Sequence, residues 1–202
     1  MSKNSNIFIN GEDFYSRAYF GWQNKYSSLT GLIMGYRNSA NDLVEIALEK
    51  GQNVNISVLD TYIYPVFFMY RHSIELSIKR IYLRCCGGIP KGGHDLIVLW
   101  DKVKKEVIDN LDSIFEEVKE KKDEFVQFQI DDKNLKNIRL RLIEISKVDS
   151  KSDVFRYLID NNGELYFTDS KFIDYKHMKK RMNDILEYLE YLYIIIDEYL
   201  SW

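Results

Sequence analysis

Five polar residues in the segment 58–86 are spaced so that a helix would bring them onto one face; they are Arg71, His72, Glu75, Lys79 and Tyr82. At about 100° of rotation per residue, they fall within one arc of roughly 100°. Histidine exchanges protons near neutral pH, and arginine matches the geometry of carboxylates and phosphates. The stripe predicts either acid–base chemistry beside an anion or a structural polar network between helices.

The same helix carries a second polar arc, formed by Ser73, Ser77, Arg80 and Arg84. Apolar residues separate the two arcs, and we expect the second arc to be the solvent face. One solvent face is enough for solubility. The first stripe is therefore the better functional candidate, with His72 and Glu75 one turn apart.

Glycine and proline define where this helix ends. Gly87 and Gly88 favour the left-handed backbone that closes a helix, and Pro90 cannot continue one. Asp95 is a plausible N-cap for a following helix. His94 therefore lies in the loop that leads directly away from the polar stripe.

The strings RHSIELSIKRIYL and GHDLIVLW, with the glycine- and proline-bearing turn between them, resemble the HEPN superfamily of small helical domains. Glu75 and Lys79 match its E-x3-K-like pattern, and His94 and Asp95 match its H-D-L helix start. The resemblance implies an all-α fold. It also implies metal-independent RNA cleavage, or RNA or nucleotide binding, in bacterial stress or phage defence.

HEPN ribonucleases usually carry an R-x4–6-H motif, in which the arginine stabilises phosphate charge and the histidine acts on the 2′-hydroxyl or the leaving oxygen. The chain departs from this spacing, because Arg71 and His72 are adjacent and Arg84 precedes His94 by ten residues. A metal-free site could still assemble in space. The predicted catalytic residues are His72, Arg71, Glu75 and His94, and the predicted substrate-binding residues are Lys79, Asp95 and Arg156.

Arg156 lies in the segment DSKSDVFRYLIDNNGELYF, whose F-R-Y element resembles a group of bacterial HEPN-like proteins. Flanking aromatic residues would hold its guanidinium for a bidentate contact with a carboxylate or phosphate. Pairing with an acidic residue of the central helix is an equally good interpretation. The runs on either side of Asn161, Asn162 and Gly163 predict a β-hairpin over 153–168.

The whole chain, residues 1–202, is predicted to be one all-α domain, an antiparallel helical bundle with that hairpin as an appendage. An irregular arm is expected over 1–12. Helices are expected at 13–50, from about 57 or 60 to 86, at 95–107, 111–126, 134–147 and 174–200. Gly31 and Gly35, four residues apart, predict a close helix contact.

Composition leaves two partner classes open. The net charge of −3 gives no global positive field, so RNA or nucleotide binding would need a local basic groove. A non-catalytic module that forms a homodimer or binds a partner protein is the alternative. Three histidines make a zinc centre improbable on ligand number, and no cofactor or metal is expected.

The adjacent Cys85 and Cys86 are poorly placed for a disulfide and are expected to be buried thiols in a reducing cytosol. The N-terminal sequence has no apolar core of signal-peptide length, and no apolar run is long enough for a membrane span. The expected location is therefore the cytoplasm, with no membrane partner.

Overall fold

The computed structural model describes residues 7–8, 11–21, 24–114 and 130–201. Its helices are α1 (Lys25–Gln52), α2 (Ser57–Cys86), α3 (Leu96–Glu106), α4 (Leu111–Ile114), α5 (Asp132–Val148), α6 (Val154–Tyr157) and α7 (Tyr175–Leu200). A single 3-10 turn, Ile108–Asn110, joins α3 to α4. The described residues contain no strand, so the all-α class is confirmed.

Helix α2 lies at the centre of the fold, because α1, α3, α6 and α7 all contact it. Its apolar residues are buried on several sides of the helix, among them Val66, Tyr70, Ile74, Ile78 and Ile81. Pro65 lies inside this helix, past its first turn. From Val66 to Cys85 no residue of this helix is exposed, whereas Ser57, Asp60, Thr61 and Pro65 in its first turns are exposed.

The expectation that the second polar arc of α2 faces solvent is therefore wrong. Ser73, Ser77 and Arg80 are all buried, and the Ser73 hydroxyl donates to the Ile33 carbonyl at 3.0 Å. Hydroxyl groups that bond to nearby carbonyls are compatible with burial, because their polar atoms keep a partner. The periodicity identified both arcs but could not identify which neighbours would cover them.

Arg80 is the buried cation of this second arc. Its guanidinium pairs with Glu190 on α7 and donates to the Thr30 hydroxyl on α1 at 3.3 Å. Its central carbon also lies 3.9 Å from the centroid of the Tyr193 ring. Arg80 thus joins α1, α2 and α7 through one side chain.

Side-chain pairs define the relative directions of the three longest helices. Between α1 and α7 the order reverses, as shown by Arg37 with Glu187, Asn41 with Asn183, and Glu45 with Lys179. Between α2 and α7 the order is the same, as shown by Leu59 with Tyr175, Arg80 with Glu190, and Arg84 with Asp197. Helix α1 is therefore antiparallel to α7, whereas α2 is parallel to it.

The first helix begins later than predicted. Asn24 caps it by accepting hydrogen bonds from the Tyr26 and Ser27 amides, both at 3.0 Å. Residues 13–16 form only a turn. The predicted close contact at Gly31 and Gly35 is also wrong, since a Cβ at either position would have no atom within 4 Å.

The segment 153–168 contains a helical turn and a single bridge where the sequence predicts a two-stranded hairpin. The Arg156 and Tyr157 amides both donate to the Asp153 carbonyl, which makes α6 one turn long. The predicted tight turn is present, with Gly163 at φ 86° and one isolated antiparallel bridge between Ile159 and Leu165. Two bridged residues do not make a ladder, so no strand forms.

The helix predicted at 134–147 is confirmed as α5, and Asp95 caps α3 as expected. Most of the predicted arm 1–12, the 115–126 part of the predicted fourth helix, Trp22 and Trp202 lie outside the described residues. Across the described ranges, none of the helices combines the length and apolar character that a bilayer crossing requires.

Replacing Glu190 with alanine would leave the Arg80 guanidinium buried without its carboxylate. We expect a loss of about 2 to 4 kcal/mol in the free energy of unfolding, because an unpaired buried charge is costly. The matched control is Glu187→Ala, which removes an exposed partner of Arg37 and should cost no more than about 1 kcal/mol. Urea titrations of both variants measure this difference, and equal losses would contradict the structural role given to Arg80.

Candidate functional site

Arg71 and Lys79 of the predicted polar stripe contact the carboxylate of Glu75, whose side chain is only 1% exposed, whereas the Tyr82 hydroxyl bonds to Glu106. Lys79 Nζ donates to Oε1 at 2.7 Å, and Arg71 Nη1 donates to Oε2 at 3.3 Å. His94 Nδ1 lies 3.0 Å from Oε1 and 3.1 Å from Oε2. Two of these partners lie one turn away on α2, and the third comes from the loop before α3.

The surroundings of Glu75 determine its ionisation. Burial pushes the pKa of this carboxyl upward, but the hydrogen bond and charge of Lys79, together with those of His94, hold the pKa below its ordinary value. Glu75 is therefore a buried carboxylate anion at neutral pH. It is stable there because cationic or donating groups occupy both of its oxygens.

An ionised Glu75 also fixes the tautomer of His94. A carboxylate can only accept hydrogen bonds, so the imidazole proton lies on Nδ1 and the lone pair lies on Nε2. The His94 side chain is 52% exposed. Glu75 therefore holds the ring in one tautomer at the protein surface, and Nε2 is the nitrogen that can exchange a proton with a bound molecule.

The loop that carries His94 depends on a glycine. Gly92 has φ 155°, and a Cβ there would lie 3.0 Å from Cγ1 of Val98. Asp95 then begins α3 by accepting hydrogen bonds from the Ile97 and Val98 amides at 2.9 and 3.0 Å. Asp95, predicted to bind substrate, therefore uses Oδ1 to cap the helix that positions His94.

Arg71, predicted to be catalytic, is completely buried. It donates to the backbone carbonyls of His94 at 2.8 Å, Asp149 at 3.0 Å and Ser150 at 3.3 Å, in addition to Glu75. Burial lowers its pKa, while Asp149 and Glu75 oppose that shift. With no exposed surface to offer a substrate, Arg71 acts as a positioning residue that joins α2 to two loops.

Asp149 belongs to this site, although the sequence analysis did not single it out. Its side chain is fully buried, Oδ1 accepts a hydrogen bond from the Asp153 amide at 2.9 Å, and Oδ2 lies 3.6 Å from Arg71 Nε. A lone aspartate after a helix is too common a pattern to indicate this role. It anchors the start of the segment that leads to Arg156.

His72 is enclosed by aromatic rings. It stacks on Phe68 with centroids 5.5 Å apart and planes at 12°, and it meets Tyr36 edge-on at 4.7 Å. Burial lowers its pKa; the Glu75 charge opposes the shift, and the electrostatic effects of Lys79, His94 and Arg156 favour it. His72 is therefore neutral at pH 7 and lies within electrostatic reach of those four groups.

Arg156 approaches from α6, and its guanidinium carbon lies 5.5 Å from the Phe68 ring centroid and 5.1 Å from that of Tyr157. Its Nη2 donates to Asp153 Oδ1 at 2.9 Å, and its Nε donates to the Ser152 carbonyl. The acidic partner is thus on its own segment, so the alternative of pairing with the central helix is wrong. The side chain remains 31% exposed.

Six of the seven predicted site residues thus contact or influence one another around Glu75, and Asp95 supports the loop of one of them. Lys79 is 15% exposed, so it can reach a bound anion while it pairs with Glu75. Within the described ranges, histidine, cysteine and carboxylate side chains do not gather in threes at metal-binding geometry.

The two cysteines at the end of α2 lie in different environments. Cys85 is half-buried, and burial raises its pKa to about 12, whereas Cys86 is exposed. The expectation of two buried thiols is therefore wrong for Cys86.

Acidification should destabilise the protein through His72. Its folded pKa lies below the unfolded value, so its contribution to stability is complete above about pH 6.5 and is lost as pH falls through the folded pKa. His72→Phe keeps the ring contacts and should lose less stability between about pH 7.5 and pH 5.5. Thermal melts across that range measure the effect, with His177→Phe on α7 as the control. Identical pH profiles for wild type and His72→Phe would contradict it.

No family model matches the chain, and neither the curated proteins nor the solved structures include a match to it. The resemblance to the HEPN superfamily therefore stays a prediction. The chemistry of the site has to be argued from its own geometry.

Proposed function

We propose that the protein is a HEPN-like, metal-independent ribonuclease that cleaves RNA by transphosphorylation. The observation that carries this proposal is the contact between the buried Glu75 carboxylate and the exposed imidazole of His94, with a second histidine, His72, within electrostatic reach of both. Two imidazoles in different environments are suited to the two proton transfers of such a reaction.

In the proposed reaction, neutral His72 takes the proton from a ribose 2′-hydroxyl, and the 2′-oxygen attacks the adjacent phosphorus. The bond from phosphorus to the 5′-oxygen breaks. The imidazolium form of His94 gives its Nε2 proton to that leaving oxygen. The products are a 2′,3′-cyclic phosphate and a 5′-hydroxyl, and proton exchange with water restores both histidines.

Charge stabilisation in this proposal comes from Lys79 and Arg156. Both side chains are partly exposed, and both affect the pKa of His72. A phosphate between the two histidines would therefore meet cationic donors as negative charge develops on its oxygens. Arg71 contributes by donating hydrogen bonds to the His94 and Asp149 carbonyls. These bonds fix the positions of the loop that carries His94 and of the segment that leads to Arg156.

The biological setting follows from the resemblance alone. We place the protein in bacterial stress or phage defence, and in the cytoplasm, where unpaired cysteines such as Cys85 and Cys86 are common. In this proposal a residue outside the R-x4–6-H motif takes the role of the motif's arginine. Arg156, from a distant segment, supplies the exposed guanidinium that Arg71 cannot supply because it is buried.

His94→Ala should lower the rate of RNA cleavage by about 100-fold or more, since general acid–base groups contribute on this scale. The control is Lys105→Ala at an exposed position near the end of α3, which should cleave at the wild-type rate. A substrate with a 2′-deoxyribose at the cleaved position should remain intact. Gel analysis of labelled oligonucleotides measures all three, and equal cleavage by wild type and His94→Ala would refute the mechanism.

A non-catalytic interaction module is the second candidate, and exposed aromatic side chains near the N-terminus favour it. Phe14 is 71% exposed, Tyr15 is 95% exposed and Phe20 is 75% exposed. Exposed apolar side chains of this size mark surfaces that bind another protein or a second copy. In this candidate the segment 11–21 forms a homodimer or partner interface.

The interface candidate predicts a dimer whose stability depends on these rings. Replacing Phe14, Tyr15 and Phe20 together with serine should shift the protein from dimer to monomer, because the apolar surface available for burial is lost. Light scattering coupled to size exclusion measures the mass. A wild-type chain that is monomeric at micromolar concentration and captures no partner would remove the support for this candidate.

A further inference from the structure

Two side chains of α6, Arg156 and Tyr157, lie side by side at the edge of the candidate site. The Arg156 guanidinium carbon lies 5.1 Å from the centroid of the Tyr157 ring, and Tyr157 is 60% exposed. A ring that is mostly in water contributes little to the burial of apolar surface. Folding alone therefore gives little reason for an aromatic side chain at this position.

Contacts between neighbouring side chains connect Tyr157 to His72. The Arg156 guanidinium carbon lies 5.5 Å from the centroid of the Phe68 ring, and that ring stacks on the His72 imidazole with centroids 5.5 Å apart. Arg156 also acts electrostatically on His72. The exposed ring is thus separated by two side chains, Arg156 and Phe68, from the histidine that is proposed to take the 2′-hydroxyl proton.

The backbone on both sides of α6 fixes this one-turn helix. Ser152 before it has φ 66° and Leu158 after it has φ 61°, a region that residues other than glycine rarely adopt. The Asp153 amide donates to Asp149 Oδ1 at 2.9 Å, and the Tyr166 amide donates to the Leu158 carbonyl at 3.0 Å. Strained residues persist only where surrounding contacts hold them. The helix therefore presents its exposed side chains from a fixed backbone.

The Arg156 guanidinium is only partly engaged within the protein. Its Nε donates to the Ser152 carbonyl and its Nη2 to Asp153 Oδ1, whereas Nη1 has no hydrogen-bond partner among the described residues. Unstacked bases of single-stranded RNA bind by stacking on aromatic rings and on arginine guanidinium planes. An exposed tyrosine beside this arginine therefore offers a face for a base and a free donor for a phosphate oxygen.

We propose that Tyr157 stacks the base of the ribonucleotide that carries the attacking 2′-hydroxyl, while Arg156 binds the phosphate that is cleaved. The inference rests on the proposed function, because it takes the position of the strand from the roles of His72 and His94. The 5′ side of the phosphate follows from the contacts. Phe68 connects Arg156 to His72, whereas His94 contacts Glu75 from the loop before α3.

A protein docked on the same ring is the competing occupant, since Leu158 and Ile159 beside it are 46% and 48% exposed. The contact between the Tyr157 ring and a cation that acts on His72 favours the base. The experiment distinguishes the two occupants, because only a base would make the kinetics depend on the identity of one nucleotide.

The test uses Tyr157→Ala in the full-length chain and an oligonucleotide with a single ribonucleotide, so that cleavage occurs at one defined position. The KM should rise by about 10-fold, because stacking of one base contributes on this scale. The kcat should stay near its wild-type value, since the ring does not touch the reacting atoms. Tyr157→Trp keeps an aromatic face and should retain the wild-type KM. The matched control is Tyr191→Ala, which removes a tyrosine that is 40% exposed on α7 and should leave both constants unchanged.

An abasic ribose at the cleaved position gives a readout that a purely structural role of Tyr157 would not change. For the wild type, removal of this base should raise the KM by about 10-fold. For Tyr157→Ala, the intact and abasic substrates should have the same KM, because the stacking partner is already missing. Equal penalties in the two proteins would overturn the inference. So would an unchanged KM in Tyr157→Ala together with the loss of a dimer or of a captured protein.

Binding without cleavage separates this inference from the proposed ribonuclease activity. Fluorescence anisotropy with 2′-deoxyribose at the cleaved position measures affinity while the reaction is blocked. If the wild type binds through Tyr157 but cleaves no RNA, the stacking stands and the catalytic proposal fails. If the wild type cleaves RNA and Tyr157→Ala has an unchanged KM, the catalytic proposal stands and the stacking is refuted. A wild type that neither binds nor cleaves refutes both.

Discussion

The arrangement of this protein depends on one buried carboxylate in its central helix. Glu75 stays ionised because Lys79, Arg71 and His94 occupy its oxygens, and each of these contacts restrains a different part of the fold. Removing the charge, as in Glu75→Gln, would leave the buried Arg71 with Asp149 as its remaining carboxylate and would leave His94 without a fixed tautomer. The two carboxylate oxygens of Glu75 thus both hold the fold together and position the groups proposed for catalysis.

Arg71 shows how a charged residue in a functional stripe can serve the fold. Its guanidinium donates hydrogen bonds to three backbone carbonyls from two loops. These bonds compensate for the burial of the cation, and they also fix the two loops against α2. One loop carries His94, and the other leads through Asp149 to Arg156. The site is therefore assembled by a residue that no substrate can touch.

The proposed functions place different demands on the molecule. RNA cleavage requires the His72 and His94 pair with nearby cations. A purely structural interface would require only exposed aromatic rings. The two uses are compatible, since the exposed rings at Phe14 and Tyr15 are not among the residues that contact Glu75.

Local sequence signals determined the all-α class, the end of α2 at Gly87, the cap at Asp95 and the polar stripe that includes Glu75, because capping and helical periodicity act within a few residues. They could not determine which faces of α2 would be covered. Only packing against α1 and α7 buried Arg80, and only the return of a distant loop brought Asp149 to Arg71. Contacts between residues far apart in sequence depend on the shape and charge of two surfaces that pack together. The hydrophobic periodicity of one helix contains no information about the surface that will cover it.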